Sequence, residues 1–168
     1  MIDRNDPKAW ALYKDGLTKG LFQLESNLGR AWSKRVAPEN LEELAALIAI
    51  LRPGTLKAVS EGKSMTQHFV DRKHKREDVV YLDPRLEEIL KSTYGILVYQ
   101  EQAMLIAVKV AGFNEMEADN LRKAIGKKKA SLMAEIRGQF IEGCKKVGLV
   151  DEDTANQIFD WIEKSSRY

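Results

Sequence analysis

The chain predicts a mainly α fold: a multi-helix single domain over residues 1–168, with at most one or two short strands. Three observations carry that expectation. Between turn signals, apolar residues recur at i, i+3, i+4 and i+7 in segment after segment, which is the period of a helix with one buried face. Helix-start signals stand in front of several of those segments, as Asn5-Asp6-Pro7, Pro38-Glu39-Asn40, Asp83-Pro84 and Asp151. Only Ile96-Leu97-Val98-Tyr99 is β-branched and aromatic enough to read as a strand. Seven or eight helices are expected, with no internal repeat and no low-complexity linker.

Taken in order, the first helix starts at the Asn5-Asp6-Pro7 cap, carries Trp10, Leu12 and Tyr13, and stops at Asp15-Gly16. Thr18 to Ser26 alternates too briefly to be a strand, and Ser26 is placed to cap a helix over Asn27 to Arg35 whose outer face is basic through Arg30, Lys34 and Arg35. The next helix has Glu39, Glu42 and Glu43 in its first turns, where the dipole favours negative charge, and a stripe of Leu41, Leu44, Leu47, Ile48 and Leu51. Arg52-Pro53-Gly54 ends it. Residues 55–80 show little pattern beyond a short helix around Met65 to Lys73; His68 and His74 read as surface side chains, since no cysteine or carboxylate pair accompanies them at metal-ligand spacing. A helix with Leu86, Ile89 and Leu90 halts near Tyr94-Gly95. Ala103 to Ala111 is a buried helix closed by Gly112. Leu132, Ile136 and Phe140 share the face of another, and Ala155, Ile158, Phe159 and Ile162 stripe the last.

Composition bounds the function classes. Apolar residues make up 44% and charged residues 31% of the 168, with a formal net charge of +2, too small to imply nucleic acid by itself. The distribution says more: acids collect at Glu39–Glu43 and Asp151–Glu163, bases at Arg72–Arg76 and Arg122–Lys129. The single cysteine, Cys144, excludes an internal disulfide, fits a reducing compartment and reads as a buried thiol rather than a nucleophile. No apolar run reaches the length of a membrane span and no hydrophobic leader opens the chain, so a cytoplasmic location is expected.

The chemically pointed stretch is Glu115 to Arg137. In Arg122-Lys123-Ala124-Ile125-Gly126-Lys127-Lys128-Lys129, five of eight residues are cationic, and no acid occurs between Asp119 and Glu135. Ala118, Leu121 and Ile125 form an apolar anchor, and Gly126 is expected to end or interrupt the helix before three lysines. A concentrated positive field beside a backbone break suits phosphate. Nothing else builds an active site: carboxylates sit at helix starts where capping alone puts them, and no Walker-type, G-x-G-x-x-G, C-x-x-C, H-E-x-x-H or G-x-S-x-G motif occurs. The residues support either phosphate binding without catalysis or a helical protein-interaction or regulatory domain with a solvated basic face.

Four ordered blocks narrow this. Thr18-Lys19-Gly20-Leu21-Phe22-Gln23-Leu24-Glu25-Ser26, Leu51-Arg52-Pro53-Gly54, Thr93-Tyr94-Gly95-Ile96-Leu97-Val98-Tyr99-Gln100-Glu101-Gln102, and Glu117-Ala118-Asp119 with Leu121 to Lys128 together resemble the bacterial C-family replicative DNA polymerases, the α subunits of DNA polymerase III. The resemblance covers nearly the whole chain, and residues 55–80 match it least. It implies the fingers domain of a DNA-directed DNA polymerase acting in replication, with the metal-binding aspartates of the palm upstream. It also implies a continuation after Arg167-Tyr168 into F-N-K-S-H, so that the segment is an excised piece or a natural fragment, of the kind inteins produce in this family. The implied partners are primer-template DNA, dNTP and the palm and thumb; no cofactor is expected in this segment, no metal site either, and Mg2+ belongs to the complete polymerase. By residue, the resemblance implies triphosphate contacts from Arg122, Lys123, Lys127 and Lys128, and DNA contacts from Arg52, Lys129 and Gln100. No catalytic residue is expected, and the segment alone is expected to be inactive. Gln23, Ser26, Tyr99 and Gln102, and Gln100 as the alternative to its DNA contact, are expected to hold the fold by hydrogen bonds, and Phe22, Leu24, Ile96 and Val98 to be core.

Overall fold

The structure is a computed structural model that describes residues 3–127 and 130–166. It is mainly α: ten α-helices and one two-stranded sheet occur among the described residues. They gather into two compact units, Met1–Val79 with Ser92–Ile96, and Val80–Lys91 with Leu97–Tyr168.

The first unit begins with α1 (Pro7–Lys14), whose N-cap Asp6 accepts a hydrogen bond from the Lys8 N–H at 2.9 Å and whose first residue is proline. Its partner is α2 (Asn27–Val36), capped by Ser26, whose Oγ accepts from the Gly29 N–H at 3.0 Å. Between them the Thr18–Ser26 block is a series of turns. The buried Thr18 hydroxyl donates to the Leu24 carbonyl at 2.6 Å, and Gln23 takes a left-handed backbone at φ 64°. That geometry turns neighbours to opposite fates: Leu24 is buried, whereas Phe22, expected in the core, is 84% exposed. Ile96 is buried as expected, and Val98 is half-buried.

Helix α3 (Leu41–Ile50) opens on Asn40, whose side chain accepts from Glu43 N–H, while Glu43 reaches back to the Glu39 N–H, both at 2.9 Å. The buried face is Glu43, Ala46, Leu47 and Ile50 rather than the stripe through Leu41, which is exposed. The rotation follows from Glu43, whose carboxylate accepts from the Tyr94 hydroxyl at 2.7 Å and pairs with Lys73 at 3.1 Å. Pro53 does not lead into a loop: it starts the short α4 (Pro53–Lys57).

Residues 55–80, nearly opaque in the sequence, hold a hairpin of β1 (Val59–Ser60) and β2 (Lys63–Ser64), paired antiparallel. Its two-residue turn, Glu61 and Gly62, has positive φ at both positions (51° and 79°), the type I′ geometry that matches strand twist. Two-residue strands leave no alternation to read. Helix α5 (Met65–Lys73) follows from its Ser64 cap. His68, expected at the surface, is buried: Nε2 donates to the Ser60 carbonyl at 2.9 Å and Nδ1 meets the Glu77 carboxylate at 2.8 Å, so the ring ties the hairpin to the chain beyond α5.

In the second unit a 3-10 turn (Pro84–Leu86) capped by Asp83 runs into α6 (Glu87–Leu90). The four long helices are α7 (Gln100–Ala111), α8 (Glu115–Lys127), α9 (Ala130–Val147) and α10 (Glu152–Ser166). Their core includes Leu90, Ile106, Leu121, Phe140 and Phe159, with Phe140 edge-on to Phe113 at 6.1 Å and tilted on Phe159 at 5.3 Å. At Gly143 a Cβ would run into the Ala111 carbonyl, so glycine there sets how closely α9 approaches α7. The expected strand Ile96–Tyr99 does not form. With no neighbouring strand among the described residues to complete a ladder, the Val98 and Tyr99 N–H groups instead both donate to the Gln102 Oε1, at 2.8 and 3.0 Å, capping α7.

Candidate functional site

Helix α8 is built to hold one face still and show another. Asn114 and Glu117 cap its start reciprocally, each side chain accepting from the other's N–H at 2.9 Å. Ala118, Leu121, Ala124 and Ile125 are buried, which anchors the helix. Gly126 is helical and lies one residue inside the described end of α8 at Lys127, and a Cβ on it would meet open space.

The cations expected on this helix fall on its outer face. Arg122 is half-buried, Lys123 and Lys127 are exposed, and Lys128 and Lys129 lie outside the described residues. Arg122 and Lys123 meet on one carboxylate that sequence reading left unassigned. Arg122 Nε and its terminal nitrogen donate to Asp119 Oδ1 at 2.9 and 2.7 Å, and the Lys123 ammonium pairs with Oδ2 at 2.7 Å. The hydrogen bond from Lys123, then that from Arg122, holds the Asp119 carboxyl below the usual aspartate range. The i, i+3 and i, i+4 spacing is the signal that could have found this pairing. One carboxylate offsets one of the two charges, so the described face of Asp119, Arg122, Lys123 and Lys127 retains net positive charge.

Gln100 is the exposed first residue of α7. Gln102 and Ser26, from the same sequence blocks, serve as helix caps, as expected of residues that hold the fold. On the first unit, exposed Arg52 lines a cleft of about 520 Å³ together with Gln23, Glu25, Ser26, Leu28 and Leu51, so the first and second sequence blocks meet there. Arg137, at the end of the basic stretch, packs α9 on α10: it pairs with Asp160 at 2.6 Å and lies over the Phe159 ring at 5.4 Å. Burial pushes the Cys144 thiol up to about 11, which leaves it a poor nucleophile. Among the described residues no three His, Cys, Asp or Glu side chains gather closely enough to hold a metal ion, and no helix is long and apolar enough to cross a membrane.

Comparison with known proteins agrees with the block order. The family described as bacterial DNA polymerase III alpha subunit finger domain matches residues 1–148. The DNA polymerase III subunit alpha of Aquifex aeolicus is 42% identical over 164 residues, 98% of this chain and 14% of that protein. That of Staphylococcus epidermidis is 43% identical over 99% of this chain and 15% of its own length. That of Pseudomonas aeruginosa is 44% identical over 99% and 14%. The chain therefore spans about one seventh of the curated relatives it matches.

Proposed function

The chain belongs to the bacterial DNA polymerase III alpha subunit finger domain family, and from that premise we propose that it is the fingers segment of a replicative DNA-directed DNA polymerase. In this reading Arg122, Lys123, Lys127 and Lys128 contact the triphosphate of the incoming dNTP, while Arg52, Gln100 and Lys129 contact primer-template DNA. The observation that carries it is the division of α8 into a buried apolar face and an outer cationic one.

Charge develops on the leaving pyrophosphate as a phosphoryl group transfers, so cations fixed before the reaction stabilise that charge without reorganising. Asp119 contributes the fixing: it holds Arg122 and Lys123 side by side and limits their rotamer freedom until phosphate oxygens compete for them. Mg2+ is the ion such transfer uses in a complete polymerase. The described carboxylates of this segment do not fit a site for it. The segment thus grips and positions, and the palm would supply the metal-dependent chemistry.

The test is a complete polymerase of this family carrying Arg122→Ala, Lys123→Ala, Lys127→Ala and Lys128→Ala, singly and together. Removing one charge-assisted hydrogen bond to phosphate should cost about 1.5–3 kcal/mol, a roughly 10- to 100-fold fall in kcat/KM for dNTP per position. Wild-type kinetics in the quadruple variant would overturn the assignment.

A further inference from the structure

Basic residues far apart in the sequence close on a single cleft of the first unit. Lys14 ends α1, Lys34 and Arg35 come from the last turn of α2, and His74 and Arg76 lie just past α5; with Gln67 they line a space of about 290 Å³, and none of its lining residues is acidic. That volume is several times the ~30 Å³ of a water molecule, room for a phosphate with its ester oxygens.

The walls are fixed. The His74 Nε2 donates to the Arg35 carbonyl at 2.8 Å, which joins the end of α5 to the end of α2. The Arg35 guanidinium sits over the Trp32 ring at 4.7 Å, and the Arg76 N–H donates to the Asp71 carbonyl at 2.8 Å. Arg76 is 3.8 Å from the Asp71 carboxylate, whereas Lys14 and Lys34 have no carboxylate within ion-pair distance among the described residues.

Cations at helix C-termini have an ordinary explanation, since they complement the dipole. Three helices end at this cleft, and at roughly −0.5 charge each their ends offset about 1.5 charges. Four permanent cations exceed that, even after the long Arg76–Asp71 pair is allowed for. Those ends also decide the kind of anion. They turn backbone carbonyls, not N–H groups, toward the cleft, so a compact phosphate finds no nest of donors. Long cationic side chains spread over three helix ends suit successive phosphates of a strand lying across the mouth.

We propose that this cleft binds the phosphodiester backbone of a nucleic-acid strand. The site belongs to the first unit by itself, and the variants that test it leave Arg52, Gln100 and the cations of α8 in place. The 168-residue chain is titrated into a short fluorescein-labelled oligothymidylate across a range of salt, read by anisotropy. Relative to wild type, the Lys14→Gln, Lys34→Gln, Arg76→Gln variant should bind about 10-fold or more weakly near 50 mM salt, with a log–log salt slope shallower by about 2. A charge-matched control, Lys8→Gln, Lys57→Gln, Lys146→Gln, should bind within about 2-fold of wild type, as expected if those three lysines lie off the path of the strand. The Lys14→Gln, Lys34→Gln double variant leaves the Arg76–Asp71 pair intact and should still weaken binding, which keeps the result readable if Arg76→Gln loosens the loop. Equal losses in cleft and control variants would overturn the proposal, as would displacement by inorganic phosphate at matched phosphate concentration. Binding to phosphatidylserine–phosphatidylcholine vesicles without binding to the oligonucleotide would overturn it too.

Discussion

Glu43 shows how one side chain can redirect an element. Burial alone would raise its carboxyl, but the Tyr94 hydroxyl, the Glu39 N–H and the Lys73 ammonium together hold it below the usual glutamate range. Tyr94 moves the opposite way, pushed up by burial and by its bond to Glu43. Because the folded-state value of Glu43 is depressed, its stabilisation is fully present above the ordinary value of 4.5 and is lost as pH falls through the lower folded-state value. The stability gap between wild type and Glu43→Gln in urea unfolding should therefore be constant near neutral pH and narrow below about pH 4.5. Tyr94→Phe should cost about 1–3 kcal/mol in the same measurement at pH 7, since it leaves a buried carboxylate oxygen short of a donor. An effect of Tyr94→Phe within error of zero would mean that the bond is replaced by water.

Among elements, two glycines make opposite predictions. Gly143→Ala should destabilise by about 1–3 kcal/mol, because its Cβ meets the Ala111 backbone and neither helix can yield without moving the core. Gly126→Ala meets open space and should stabilise by about 0.5–1 kcal/mol, read as a rise in thermal midpoint. A loss at Gly126 would mark it as a functional break in α8. The sequence carried this scale well where a cap and an apolar period coincide, as in α1, α2 and α10. It carried it poorly where tertiary partners decide. Ile96–Tyr99 has strand propensity and no strand to pair with; His68 has a surface residue's neighbours and a buried network; Phe22 has a core residue's chemistry and a turn that points it outward. Of the candidate site, the cations of α8 were legible as charge, but their shared carboxylate and the convergence at the Lys14–Arg76 cleft needed coordinates.

At the scale of the whole molecule, Cys144 offers a reporter. Its thiol is buried in the core of the second unit and held up to about 11, so Ellman's reagent at mildly alkaline pH should label it slowly in native buffer and rapidly in denaturant. The labelling midpoint should follow the helical signal of circular dichroism, and an earlier midpoint would reveal the second unit opening before the rest.

The path of the chain has its own consequence. It leaves the first unit after Val79, enters the second, and returns for Ser92–Ile96 before leaving again. Neither unit is a contiguous segment, so no single cut in the gene isolates one intact. A fragment ending at Val79 would lack Tyr94, the edge-on partner of Phe69 at 5.2 Å and the donor to Glu43. On the ribosome the same fact sets an order of events: the first unit cannot complete its fold until the first stretch of the second has already been made.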